Sequence, residues 1–222
     1  MRSSDSTDAV DDTFMRGVFL ARGSAATPFP PRYRGRVLGP SFPIRTSRLC
    51  LRPYEPGDLA FLHSMFARED VCRYLPWAPM DLDEARAKLE QRVRQTRIET
   101  DGDALVLIAD ESDTGRTVGE FMLGLKRLAS RQGELGWSLH PDAQGRGLAT
   151  EGAREMLRIG FDELGLHRIV AGCDSRNTGS LRVMERLGMR REAEFVDYEY
   201  FKGEWASEIV CAMVGSEWRE HV

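Results

Sequence analysis

The sequence has no apolar run near the roughly 18 residues needed to cross a bilayer. Its opening residues carry Asp5, Asp8, Asp11 and Asp12, where a secretory leader would carry positive charge. The chain is therefore expected to be soluble and cytoplasmic, with no membrane partner. Cysteine is sparse: Cys50, Cys72, Cys173 and Cys211 stand far apart without a CxxC pair. That spacing argues against a disulfide framework and a zinc cluster, and leaves reduced thiols and no metal as the expectation. Positive charge does not dominate either, because 31 Lys and Arg against 35 Asp and Glu leave a net charge of -4. Such a field does not draw in a phosphate backbone, so nucleic acid is not an expected partner. The motifs GxxxxGK[ST], HExxH and GxSxG are missing too, which removes the anchors of P-loop, zinc-hydrolase and esterase readings. A dinucleotide fingerprint starting at Gly145 would need glycine at position 150, where Thr150 stands.

What is present is a chain of 222 residues with 41% apolar content, enough for one sizeable core. Residues 1–43 read as a flexible extension rich in Ser and Asp and then in Pro and Arg, with Thr13 to Ala21 apolar enough for a short docking helix. Residues 44–215 read as one domain and 216–222 as a tail. Within the domain, alternation marks a strand around Ser47 to Arg52, which Pro53 ends. Asp58 opens a helix with Leu59, Leu62 and Phe66 on one face, and Asp81 with Glu84 forms a capping box for a helix running to about Thr100. Strands follow at Ala104 to Asp110, Thr117 to Leu128 and Arg131 to Leu139, then a helix from Leu148 to Leu164 and a strand from His167 to Cys173. A helix from Thr178 to Leu187 stops at Gly188, and two strands, Phe195 to Phe201 and Ala206 to Met213, turn at Lys202-Gly203. The strand, helix, strand order around Leu148 requires two parallel strands. The fold class is α/β.

The connection from Leu139 to Leu148 runs from a strand into a helix and contains Gly145 and Gly147. Glycine lets the backbone approach a ligand closely, and the free amides at a helix start carry about half a positive charge, which attracts phosphate. Arg146 adds a side-chain cation. A plain strand-to-helix turn also uses glycines, so spacing alone leaves both readings open.

Three separated motifs resemble one family, the GNAT superfamily of N-acetyltransferases, and within it the RimJ/RimL-like branch. The loop Gln144-Gly145-Arg146-Gly147-Leu148-Ala149 is similar to the family's Q/R-x-x-G-x-G/A. Asn177, Ser180 and Leu187-Gly188-Met189 resemble its Asn, Ser and Leu-Gly-Phe pattern, with methionine in place of the aromatic. Thr46-Ser47-Arg48-Leu49-Cys50-Leu51-Arg52-Pro53 resembles its opening Thr-x-Arg-Leu-x-Leu-Arg-Pro. The resemblance spans about residues 44 to 214.

It implies a mixed, mostly antiparallel sheet of about seven strands, flanked by about four helices and splayed between two central parallel strands. It implies acetyl-coenzyme A (acetyl-CoA) as co-substrate and a primary amine as acceptor, on a protein N-terminus or a small molecule. Cofactor contacts would come from Trp137, Ser138 and Leu139 before the loop, from Gln144, Gly145, Arg146, Gly147, Leu148, Ala149 and Thr150 in it, and from Asn177 and Ser180. Ser180 would serve the departing thiol and Glu199 would be the base, its pKa raised by apolar neighbours such as Trp137 or Phe201. Glu134 and Glu120 are the alternative bases. Helix capping competes for Asn177 and Ser180, and a solvent-facing acid on an edge strand competes for Glu199. His140 reads as a turn former and Cys173 as a small buried residue, so transfer is expected to be direct. A non-catalytic acyl-CoA sensor, and transfer of a larger acyl group such as succinyl beside Arg73 or Arg127, remain open alternatives. So does a homodimer through the last hairpin or the extension.

Overall fold

The near-continuous apolar runs along Ala104–Glu111 and Thr117–Arg127 bury both faces of each strand, which is the condition for a sheet covered by helices on both sides. The computed structural model describes residues 40–221, and the proposed docking helix at 13–21 lies outside them. The strands are β1 (Ile44–Arg45), β2 (Leu49–Pro53), β3 (Ala104–Glu111), β4 (Thr117–Arg127), β5 (Gln132–Leu139), β6 (Arg168–Asp174), β7 (Arg190–Phe201) and β8 (Glu204–Val214). They form one 8-stranded sheet in the order β1-β2-β3-β4-β5-β6-β8-β7. β1 is a two-residue addition to the seven strands expected from the sequence. All neighbours run antiparallel except β5 and β6.

That parallel pair is short. Only Gln132, Gly133 and Glu134 pair with Arg168, Ile169 and Val170, after which β5 continues to Leu139 with no strand partner on that edge. The sheet is therefore splayed at the parallel pair, and the opening lies toward the carboxyl ends of both strands.

The helices are α1 (Leu59–Phe66), α2 (Glu69–Cys72), α3 (Leu82–Arg94), α4 (Leu148–Arg158), α5 (Thr178–Leu187) and α6 (Gly215–His221). α3 begins with the capping box read from the sequence: the Asp81 carboxylate accepts from the Asp83 and Glu84 amides, and Glu84 accepts from the Asp81 amide at 2.8 Å. It ends at Arg94, short of Thr100, because the Gln95 carbonyl and Thr96 are taken into pairing with β3. After Arg158, α4 widens into a π turn over Ile159–Glu163. Gly188, at φ 79°, closes α5 with the left-handed cap its missing side chain allows.

The core lies in two layers. α4 and α5 cover one face, with Phe121, Leu123, Leu135, Ile169 and Cys211 beneath them. α1 to α3 cover the other, over Tyr54, Val106 and Ile108. Of residues 216–222, expected as a tail, 216–221 belong to the helix α6. Trp218 is buried there, stacked on Phe161 with centroids 5.8 Å apart and donating to Asp162 at 2.9 Å. At the other end Phe42 packs on the core, ahead of the domain start expected at residue 44.

Candidate active site

Because β5 and β6 are parallel, the helices that follow them, α4 and α5, start at the same end of the sheet, where the strands part. A crevice outside the carboxyl ends of parallel strands is where ligands settle in such sheets. The turn before α4 holds Gly145 at φ 74° and Gly147 at φ 81°, both in the left-handed region, with Gly147 as N-cap. A side chain on Gly145 would meet nothing within 4 Å, so this turn has an open side. The backbone amides from Gly145 through Thr150 make no hydrogen bond with another described residue. The Thr150 hydroxyl is buried and likewise unpartnered. Converging unmet donors at a helix N-terminus suit an anion with several acceptor oxygens. The pyrophosphate of coenzyme A is such an anion, so the residues present fit it.

Two further contacts set the shape of the loop. Gln144 donates from Nε2 to the Leu139 carbonyl at 3.1 Å, folding its side chain back on β5. His140 accepts from the Asp142 amide at 3.3 Å, as expected of a turn former. The Arg146 guanidinium departs from the sequence reading: it lies 2.5 Å from the carboxylate of buried Glu111, and much of its charge is spent there. A second arginine, Arg48, holds the loop from outside by donating to the Arg146 carbonyl at 2.9 Å. Arg48 also pairs with Glu151 at 2.7 Å, while the Arg48 amide and the Thr46 hydroxyl both donate to the same Glu151 carboxylate at 2.6 Å. Burial pushes the Glu151 carboxyl up, but these bonds from Thr46 and Arg48 outweigh it and hold it below the usual range.

At the start of α5, Asn177 is the N-cap, its Oδ1 accepting from the Ser180 amide at 3.0 Å. The competition between capping roles is thereby divided. Asn177 caps, and the Ser180 hydroxyl makes no hydrogen bond with a described residue.

The three glutamates weighed as bases occupy different environments. Glu120 is buried in an ion pair with Arg92 at 2.8 Å and also accepts from the Tyr54 hydroxyl at 2.8 Å, so its oxygens are committed. Glu199 is exposed on β7 next to a bulge where Asp197 takes φ 47°. Trp137, expected beside it, packs instead on the core under α4. Glu134 is buried at 8% exposure, on the opposite face of β5 from Leu135, at the last rung shared with β6. Lys126 lies 3.0 Å from Glu134 Oε2, close enough for a charge pair, but that oxygen receives no aligned hydrogen bond. Burial raises the Glu134 carboxyl, with Lys126 pulling the other way. Trp137 and Leu139 point to the α4 side, while Ser138 pairs with Glu120 and shares the face of Glu134. Burial, then the nearby Cys211, pushes the Cys173 thiol up to about 12, which leaves no thiolate for a covalent relay at neutral pH.

The GNAT acetyltransferase domain matches residues 48–190 of this chain, close to two-thirds of its length. The chain belongs to the GNAT acetyltransferase family. This acetyltransferase is 31% identical over 175 residues to the uncharacterized N-acetyltransferase YnaD of Bacillus subtilis (strain 168), covering 79% of this chain and 98% of YnaD. A solved GNAT-family acetyltransferase from Bacillus anthracis superposes with TM-score 0.70 at 29% identity, over 78% of this chain and 99% of that one. The spermidine N-acetyltransferase of Vibrio cholerae, solved in complex with CoA and spermine, shares the fold at TM-score 0.68 and 20% identity, over 78% of this chain and 99% of that one.

As an acetyl-CoA-dependent acetyltransferase, the enzyme has its glycine turn and its two helix starts at one end of the splayed sheet. The clamp of Thr46 and Arg48 on Glu151 joins residues more than 100 positions apart, a pairing that the opening motif alone does not disclose. Among the described residues no His, Cys, Asp and Glu group could hold a metal ion, and no helix is long and apolar enough to cross a membrane.

Proposed function

We propose that this enzyme moves an acetyl group directly onto a primary amine, with Glu134 taking the proton of the attacking nitrogen. The supporting observation is the position of Glu134: a buried carboxylate at the vertex where β5 leaves β6, with one oxygen lacking an aligned donor. An amine must lose its proton to attack, and a carboxylate with a raised pKa is a better acceptor near neutrality than an ordinary one. Glu134 therefore replaces Glu199 as the preferred base, since Glu199 is exposed and lacks the apolar setting the role asks for.

When bound, acetyl-CoA supplies an activated thioester. The amides from Gly145 to Thr150 and the Thr150 hydroxyl would hold its pyrophosphate, Gln144 would brace the turn, and the unpaired edge of β5 at Trp137, Ser138 and Leu139 would hold its arm. The Ser180 hydroxyl, with no described partner of its own, is the donor for the leaving sulfur, and Asn177 keeps the first turn of α5 in place. The acceptor is a protein N-terminal amine or a small-molecule amine. Placement in the RimJ/RimL-like branch rests on the Thr46 to Pro53 motif together with Leu187-Gly188-Met189. An acceptor screen tests the reading: thiol release from acetyl-CoA should require an amine, and the amine should gain an acetyl group by mass spectrometry. Release that ignores the amine, or none with peptides, aminoglycosides, amino acids or diamines, would sink it.

A further inference from the structure

The face of the sheet that carries Glu134 holds more negative charge than one proton transfer needs. Glu208 of β8 lies opposite Asp174 of β6 and Phe195 of β7, and this register puts it on the Glu134 face. Its carboxylate rests over Gly172 of β6, just beyond the rung where β5 and β6 separate. A side chain at position 172 would begin 2.5 Å from Glu208 Oε1, so the glycine is what leaves room for that oxygen. Glu199, opposite Ala206, falls on the same face.

Most acids around this opening are neutralised. Lys126 offsets Glu134, Arg92 holds Glu120, and Arg176 lies 2.6 Å from Asp174. Glu208 and Glu199 have no ion pair or hydrogen bond with a described residue. Glu208 is half-buried, and burial, then Glu134 and more weakly Glu199, push its carboxyl up, with Lys126 pulling against them. A half-buried anion beside another anion is unfavourable, and a bound cation relieves it. The buried Oε2 of Glu134, although 3.0 Å from Lys126, receives no aligned hydrogen bond, so this face still has a place for a donor.

We propose that Glu208, with Glu199 at the outer edge, binds a second, protonated nitrogen of the acceptor, so that the preferred acceptors are amines carrying a further cationic group. The division of labour follows from position. Glu134, at the vertex, deprotonates the nitrogen that attacks, and Glu208, farther along the opening, holds the nitrogen that stays charged. This inference rests on the acetyltransferase reading above.

The test uses acceptors of matched length, 1,4-diaminobutane against butylamine, with the full chain and saturating acetyl-CoA. Wild-type enzyme should favour the diamine in kcat/KM by about tenfold or more, the scale of a charge-assisted contact. Glu208→Gln should collapse that preference toward parity, Glu199→Gln should reduce it less, and Glu208→Asp should keep part of it. Thermal melting of each variant guards against misfolding, and calorimetric titration of wild type and Glu208→Gln with the diamine gives a readout independent of turnover. Equal wild-type use of the two amines, or an unchanged preference in Glu208→Gln, overturns the inference while leaving the acetyltransferase standing. Absence of thiol release with every amine overturns the acetyltransferase reading, and the inference falls with it.

Discussion

Glu134 stands opposite Val170 at the last rung that β5 and β6 share, so its carboxylate sits where the two strands part. Its raised pKa has a definite sign in kinetics. The protonated form cannot accept a proton, so activity is lost as pH falls through the raised value. The acid limb of kcat/KM should therefore lie above the ordinary glutamate range. Glu134→Gln should lower kcat/KM by about 10²–10⁴ and erase that limb. A limb that survives the substitution assigns the base elsewhere.

The buried set of Glu120, Arg92 and Tyr54 is structural on this account. Glu120→Gln leaves the Arg92 charge without its partner in the core, at a cost of about 3–5 kcal/mol in urea unfolding. Turnover per folded molecule should stay within a few-fold of wild type. A loss comparable to that of Glu134→Gln would return Glu120 to the list of bases.

Gly152 lies inside α4, where helix propensity alone predicts that alanine would stabilise by about 1 kcal/mol. The neighbourhood decides the opposite sign. A Cβ at 152 would come within 2.2 Å of the Phe121 ring, which is fully buried and has no room to retreat. Gly152→Ala should destabilise by about 1–3 kcal/mol, seen as a lower melting temperature. An unchanged or higher melting temperature would mean that α4 does not pack this closely on β4.

Glu151 ties the opening motif to the phosphate-facing turn through Thr46 and Arg48. Its lowered pKa means that the clamp contributes stability above the ordinary carboxylate range and loses it as pH falls through the lowered value. Glu151→Gln should raise KM for acetyl-CoA by about three- to tenfold, with a smaller effect on KM for the amine. Equal effects on both would point to general loosening instead.

Much of this was legible because it is local. The capping box at Asp81 and Glu84, the left-handed cap at Gly188 and the glycine turn each need only neighbouring residues. What the sequence could not yield depends on distant pairing. α3 stops at Arg94 because the Gln95 carbonyl accepts from the Val106 amide of β3. β7 begins at Arg190, ahead of the apolar stretch, because it pairs with β8 at an edge where polar residues are tolerated. The choice among three glutamates was unreadable for the same reason: burial, an arginine partner and a bulge separate them, and none of these is written beside the residue. Arg146 reads as a free cation until Glu111, from a strand far earlier in the chain, is found against it. Trp218 reads as tail until Asp162 and Phe161 are seen to receive it.

Calorimetric titration with coenzyme A and with pantetheine, which lacks the diphosphate, addresses the central claim most directly. If the unmet amides from Gly145 to Thr150 grip the diphosphate, coenzyme A binds at least about 100-fold more tightly than pantetheine, and Gly147→Ala erodes that difference by straining the turn. Equal affinity for the two ligands, or no binding of coenzyme A at millimolar concentration, would contradict the account.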